Sequence, residues 1–209
     1  MIRVFIADDH EIVRSGLKQL LADDSDIRVC GETETALGLP EKARKENWDV
    51  LVLDVNMPGN NGPQTVREIL AAKPGLTIVL FTMYPEDHHV VTYFRAGALG
   101  FLNKRRPIGE LADAIRTVSK GKRYITKELA EYLLEHEIDL SKRPEAMLSA
   151  RELQVVRGLA MGKLSKSVAL DMGISQSTVN SYVQRIKIKL GLKSITEIVD
   201  YARGNGLLG

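Results

Sequence analysis

Five side chains stand out by type and position. Asp8 and Asp9 close the apolar run Ile2–Ala7, and Asp54 closes Val50–Leu53. Thr82 follows Thr77–Phe81, and Lys104 follows Gly100–Asn103. Three carboxylates brought together repel one another. A divalent, oxygen-seeking cation removes that cost, and Mg²⁺ uses only a few carboxylates while keeping some of its water. A carboxylate such as Asp54 can attack a phosphoryl group to give an acyl phosphate. The cation and the Lys104 ammonium would offset charge on the transferring oxygens, and the Thr82 hydroxyl can hydrogen-bond one of them. Taken singly, each residue has a plainer reading: a turn or cap for an Asp, a β-former for Thr82, a solvated charge for Lys104. The order acid pair, acid, hydroxyl, lysine, each at the C-terminal end of an apolar run, favours the chemistry.

The elements that must position these residues are legible from patterning. With Arg28–Glu32, the runs above give five short segments rich in Val, Ile and Leu, as strands covered on both faces should be. Between them lie helical periods. Ile12, Leu17, Leu20 and Leu21 share a face in the first, Val66, Ile69 and Leu70 in the third, and Leu111, Ala114, Ile115 and Val118 in the fifth. Five βα units imply a parallel sheet with helices on both sides. In the flavodoxin-like order 2-1-3-4-5 the first and third strands are neighbours, so Asp8, Asp9 and Asp54 converge at one edge. Residues 125–137 read as a helix with Ile125, Leu129, Tyr132 and Leu133 on one side, and the polar stretch Asp139–Glu145 as a linker. The expected division is 1–124, 125–146 and 147–209.

From Leu148 the pattern is helical, with capping boxes at Ser149-x-x-Glu152 and Ser194-x-x-Glu197. A helix over Leu164–Met172, a turn at Gly173 and a second helix from a Ser175 cap to about Leu190 form a helix-turn-helix plan. Val179, Tyr182, Val183, Ile186 and Leu190 make its inward stripe. Ser177, Asn180, Ser181, Gln184, Lys187 and Ile188 face outward. Asn and Gln suit adenine edges, while Arg185, Lys187 and Lys189 can neutralise phosphates. The three parts carry net charges of 0, −3 and +5, so the positive charge collects in the C-terminal part and suggests a nucleic-acid partner there. The composition, 44% hydrophobic and 27% charged, excludes a disordered chain. No run approaches the ~18 apolar residues of a membrane span, and MIRVFIADDH does not read as a secretory signal. The single cysteine, Cys30, excludes an intramolecular disulfide and is expected to be a small buried residue in a reducing cytoplasm.

IADDH (6–10), LDVNMPGNNG (53–62), FTM (81–83) and AGALGFLNK (96–104) resemble the receiver domain of two-component response regulators, a CheY-like α/β fold. LSARELQVVRGLAMG (148–162) and SVALDMGISQSTVNSYVQRIKIKLGL (167–192) resemble the all-α LuxR-type helix-turn-helix of the NarL/FixJ response regulators. TVNSY (178–182) and GKRYIT (121–126) are similar to the global-activator and virulence-regulator branch. The resemblance implies that Asp54 accepts a phosphoryl group from a sensor histidine kinase or phosphotransfer protein. It implies Mg²⁺ on Asp8, Asp9, Asp54 and the backbone carbonyl of Asn56, with Thr82 and Lys104 on the phosphoryl oxygens. Phe101 takes the family's switch-aromatic position. Asn60 and Asn61 stand where many members carry an apolar residue and an acid, and Arg105, Arg106 and Pro107 where most carry smaller residues. Tyr84 and Asn56 fall at positions that tune phosphoryl lifetime. Double-stranded DNA is the implied partner, contacted by Lys166, Thr178, Asn180, Ser181, Gln184, Arg185, Lys187 and Lys189. The last helix, about Ile195–Arg203, is the implied dimer contact. The expected protein is a cytoplasmic transcription factor, not an enzyme, dimeric when active and without membrane association. The alternative is a constitutive DNA-binding regulator whose receiver serves only to dimerise. A Mg²⁺-dependent phosphatase would want a second acid at position 56, and a nucleotide-binding flavodoxin-like domain a Gly-rich loop after the first strand.

Overall fold

The computed structural model describes residues 1–83, 88–107, 109–136, 138, 140, 148–190, 192, 194–204 and 207. Its contacts divide the chain into two compact units, Met1–Glu137 and Ile138–Gly209.

In the first unit β1 (Ile2–Ala7), β2 (Ile27–Thr33), β3 (Val50–Leu53), β4 (Thr77–Thr82) and β5 (Gly100–Asn103) pair in parallel. Their order is β2-β1-β3-β4-β5, the expected topology. Alternation along each strand divides the apolar side chains between two faces. Val4, Ile6, Val50, Val52, Val79, Phe81 and Leu102 enter one core, with Leu17 and Leu21 of α1 (Glu11–Ala22) and Leu111, Ile115 and Val118 of α5 (Gly109–Val118). The alternate residues Phe5, Leu51, Leu53, Ile78, Leu80 and Phe101 are also buried. They belong to the opposite face, where α2 (Leu39–Lys45), α3 (Pro63–Ala72) and α4 (His88–Ala96) pack side by side. Two covered faces are the reason these strands read as unbroken apolar runs.

Three expectations fail here. Ile12 is 88% exposed and Leu20 42%, because the inner face of α1 runs through Arg14, Leu17 and Leu21. At 100° per residue, Ile12 lies about 200° from Arg14. Ile125 is exposed, since the helix begins only at Lys127. Cys30 is also exposed, because β2 is an edge strand whose Arg28 and Cys30 face outward.

Past α5 the chain returns to the sheet. The Tyr124 N–H donates to the Leu99 carbonyl at 2.9 Å, and its carbonyl accepts from the Phe101 N–H at 3.2 Å. Helix α6 (Lys127–Glu135) follows, capped by the Thr126 hydroxyl, which accepts from the Leu129 N–H. Arg106 bridges Glu110 of α5 and Glu128 of α6, each at 2.8 Å. Helix α6 therefore belongs with the first unit. The expected linker at 139–145, apart from Leu140, lies outside the described residues.

The second unit contains α7 (Ala150–Ala160), α8 (Ser165–Met172), α9 (Gln176–Leu190) and α10 (Ile195–Gly204). The capping box at α7 is complete: the Ser149 hydroxyl accepts from the Glu152 N–H at 3.2 Å, and the Glu152 carboxylate accepts from the Ser149 N–H at 2.7 Å. The core joins Val155, Val156 and Leu159 to Val168, Val179, Val183, Ile186 and Ile198. Gly173 ends α8 at φ 63°, in the left-handed region, and the Ile174 N–H reaches back to the Ala169 carbonyl at 3.0 Å. Ser175 then caps α9, its hydroxyl accepting from the Thr178 N–H at 3.1 Å.

Candidate functional site

Strand pairing brings the acids together. Ala7 of β1 lies opposite Leu53 of β3, and the Asp54 N–H donates to the Ala7 carbonyl at 2.8 Å. Asp8 and Asp54 therefore emerge side by side, each only 2% exposed. Lys104, one residue past β5, places its Nζ 2.6 Å from Asp8 Oδ2 and 2.6 Å from Asp54 Oδ2. Its own N–H donates to the Thr82 carbonyl at 2.9 Å, so the ends of β4 and β5 advance together. Thr82 is 1% exposed. The other oxygen of Asp54, Oδ1, accepts from the Asn56 N–H at 3.0 Å. Phe101 is fully buried. Tyr84 lies outside the described residues.

Asp9 is more open, its side chain 33% exposed. His10 Nδ1 sits 2.8 Å from Asp9 Oδ1 and 3.1 Å from Asp8 Oδ1. Asp8, Asp9, His10 and Asp54 each offer one ligand atom, all within 4.8 Å of one another, the one such group among the described residues. Arg14, 8% exposed, donates from behind to the Asp8 backbone carbonyl at 2.8 Å. Asp8 and Asp54 thus share the Lys104 ammonium while Asp9 lies beside His10, and the three carboxylates form a hard, negatively charged oxygen set that fits a small divalent cation.

His10, Arg14 and Asn60 were not singled out as site residues by sequence reasoning. An arginine at the Leu17 and Leu21 spacing of α1 was the available signal for Arg14. Asn60 ties the loop after β3, its Nδ2 donating to the Val55 carbonyl at 2.9 Å and its Oδ1 accepting from the Gly62 N–H at 3.0 Å.

In the second unit α9 presents Thr178, Asn180, Ser181, Gln184 and Arg185 to solvent, and α8 presents Lys166. Val179, Val183, Ile186 and Leu190 are buried beneath them. Thr178 Oγ1 lies 2.8 Å from the Ser175 hydroxyl, and the Ser181 hydroxyl donates to the Ser177 carbonyl at 3.1 Å. Lys187 is half-buried. Lys189 Nζ lies 2.8 Å from Oε2 of Glu152, whose side chain is 3% exposed.

Burial pushes the Glu152 carboxyl up, but Lys189 and the two Ser149 hydrogen bonds outweigh it and hold the group below the usual glutamate range. A carboxyl depressed in the folded state stabilises fully above its unfolded value of ~4.3, and that contribution is lost as pH falls through the folded value. Glu152→Gln is expected to cost about 2 kcal/mol at pH 7. It should also flatten the loss of amide protection in α7 and α9 on acidification from pH 5, measured by hydrogen exchange on the full chain.

The five-stranded parallel sheet with its acid cluster defines a receiver type of α/β domain, and the second unit a helix-turn-helix. The family model described as response regulator receiver domain matches residues 4–116, and that of bacterial regulatory proteins, luxR family, residues 146–202. The response regulator GacA of Pseudomonas viridiflava is 32% identical over 210 residues, spanning 100% of this chain and 98% of the relative. The response regulator UvrY of Escherichia coli (strain K12) is 33% identical over 209 residues, spanning 99% and 96%. Among solved structures, the RcsB–DNA complex matches with a TM-score of 0.69 at 27% identity, covering 97% of this chain and 98% of RcsB. RcsB of Salmonella enterica serovar Typhimurium, bound to promoter rprA with the phosphomimetic BeF₃⁻, matches at 0.69 and 26%, covering 96% and 98%. The chain belongs to the two-component response regulators of the NarL/FixJ type, a DNA-binding family that joins a receiver to a LuxR-type helix-turn-helix. Among the described residues no helix is long and apolar enough to cross a membrane.

Proposed function

We propose that this chain is a transcription regulator switched by phosphorylation of Asp54. Residues 1–124 receive the phosphoryl group, 125–146 connect, and 147–209 bind double-stranded DNA. The observation that carries the reading is the buried pair Asp8 and Asp54 held on one Lys104 ammonium, 2.6 Å from each. A sensor histidine kinase or phosphotransfer protein is the donor. An Asp54 oxygen attacks phosphorus; the new O–P bond forms as the P–N bond to the donor histidine breaks, and its electron pair leaves with the imidazole. Lys104 and Thr82 hold the phosphoryl oxygens. Asp8, Asp9, Asp54 and the Asn56 carbonyl would hold Mg²⁺, which when bound offsets the charge gathered there. The acyl phosphate shifts an existing receiver equilibrium through Thr82 and Phe101. The active form dimerises and engages a two-fold site; one related solved structure holds two RcsB dimers bound to two parallel DNAs, which supports the reading.

Light scattering with Mg²⁺, before and after beryllofluoride, tests this. Dimerisation in response to the mimic, lost in Asp54→Ala, is the expected result. A wild-type chain that stays unchanged and binds DNA equally well with and without the mimic would instead establish the constitutive regulator.

On DNA, Asn180, Ser181 and Gln184 face the bases, while Lys166, Arg185, Lys187 and Lys189 meet phosphates. Fluorescence anisotropy over a salt series separates the two roles. Gln184→Ala is expected to weaken the specific site about tenfold and leave non-specific binding unchanged. Arg185→Ala should weaken both and lower the salt slope by about 0.9 per protomer.

A further inference from the structure

The loop between β3 and α3 gives the amide at position 60 a task. Val55 C=O and Asn56 N–H are the two ends of one planar peptide unit. The N–H end donates to Asp54 Oδ1 at 3.0 Å. The C=O end accepts from Asn60 Nδ2 at 2.9 Å. The same carboxamide accepts from the Gly62 N–H at 3.0 Å, and the Asn60 N–H donates to the Met57 carbonyl at 3.2 Å. Asn60 is therefore anchored on both sides of the loop, while Lys104 Nζ holds the other Asp54 oxygen at 2.6 Å. Each oxygen of Asp54 faces a fixed donor, and the tilt of the Asn56 N–H is set by the bond that Asn60 makes to the far end of its peptide. An apolar side chain at position 60 can fill the same space but cannot hold that carbonyl.

We propose that Asn60 is a positioning residue for phosphoryl transfer: its carboxamide locks the Val55–Asn56 peptide so that the Asn56 N–H keeps Asp54 aligned. The proposal rests on Asp54 being the phospho-acceptor. An aligned nucleophile lowers the barrier without changing the chemistry, and a misplacement of about 1 Å can cost about a hundredfold in rate.

The test compares wild type, Asn60→Met and Asn60→Ala as full chains, with Asn61→Ala, an exposed side chain, as control. Phosphorylation by phosphoramidate is timed at saturating Mg²⁺, and the Asn56 amide is followed by ¹⁵N-resolved NMR and hydrogen exchange. The expected result is an Asn56 amide resonance shifted and less protected in both Asn60 variants, with β3 amides unchanged. Phosphorylation should slow about tenfold, and Asn61→Ala should match wild type. An unmoved Asn56 amide overturns the proposal, as does an unchanged rate when the amide has moved. Failure of the phospho-acceptor reading looks different, because wild type itself would then take no phosphoryl group.

Discussion

Asp54→Asn is expected to fold and to accept no phosphoryl group at all. The side chain is 2% exposed and lies between the Lys104 ammonium and the Asn56 N–H. An amide of the same shape keeps an oxygen for one of these donors, so packing is preserved. Lys104 keeps its 2.6 Å contact to Asp8, so no buried cation is stranded. What disappears is the anionic nucleophile, because a carboxamide oxygen does not displace a phosphorus–nitrogen bond at useful rates. Incubation with phosphoramidate and Mg²⁺, followed by intact mass, should show the phosphoryl adduct in wild type and none in the variant. Melting of the two chains should agree within a few degrees. A variant that labels as wild type does would place the acceptor elsewhere and sink the switch mechanism.

The parts of this molecule that were legible in sequence share a cause. Strands β1, β3, β4 and β5 are covered on both faces, so their apolar runs are nearly unbroken and their C-terminal ends are easily placed. Asp8, Asp54, Thr82 and Lys104 fall at or just past those ends, and the site follows once the strand order is known. Caps are local, which is why Ser149, Ser175 and Ser194 could be read from spacing; each accepts from the N–H three residues on. What stayed hidden depends on partners that helical spacing does not show. Arg14 occupies an apolar stripe because its guanidinium reaches the Asp8 carbonyl. The contact between Lys189 of α9 and Glu152, 37 residues earlier, is likewise invisible to spacing. Apolar periodicity also misplaced Ile12 and Leu20, since the inward face of α1 includes a charged residue that such counting passes over.

Lys104→Met carries the largest expected effect on stability. The ammonium, 8% exposed, makes both cationic side-chain contacts to Asp8 Oδ2 and Asp54 Oδ2 seen among the described residues. Removing one partner of a buried ion pair costs about 3–5 kcal/mol, because the remaining charge is desolvated without compensation. Here two carboxylates are left facing each other. Arg14 makes no direct ion pair with either, as its bond goes to the Asp8 backbone carbonyl. Methionine retains most of the aliphatic stem, so the loss is chiefly electrostatic. A fall in the receiver's melting temperature of about 10 °C is expected without added metal. Mg²⁺ should then recover much of it, and shift the variant more than wild type, since in wild type the cation and the ammonium share the same carboxylates. The comparison is a thermal melt of both chains across a Mg²⁺ series. Equal shifts in the two would mean that the metal does not sit on Asp8 and Asp54. A larger shift in the variant, with no gain in mimic-induced dimerisation, would separate the two tasks of Lys104: neutralising the resting acids, and holding the phosphoryl oxygens that replace them as its partner.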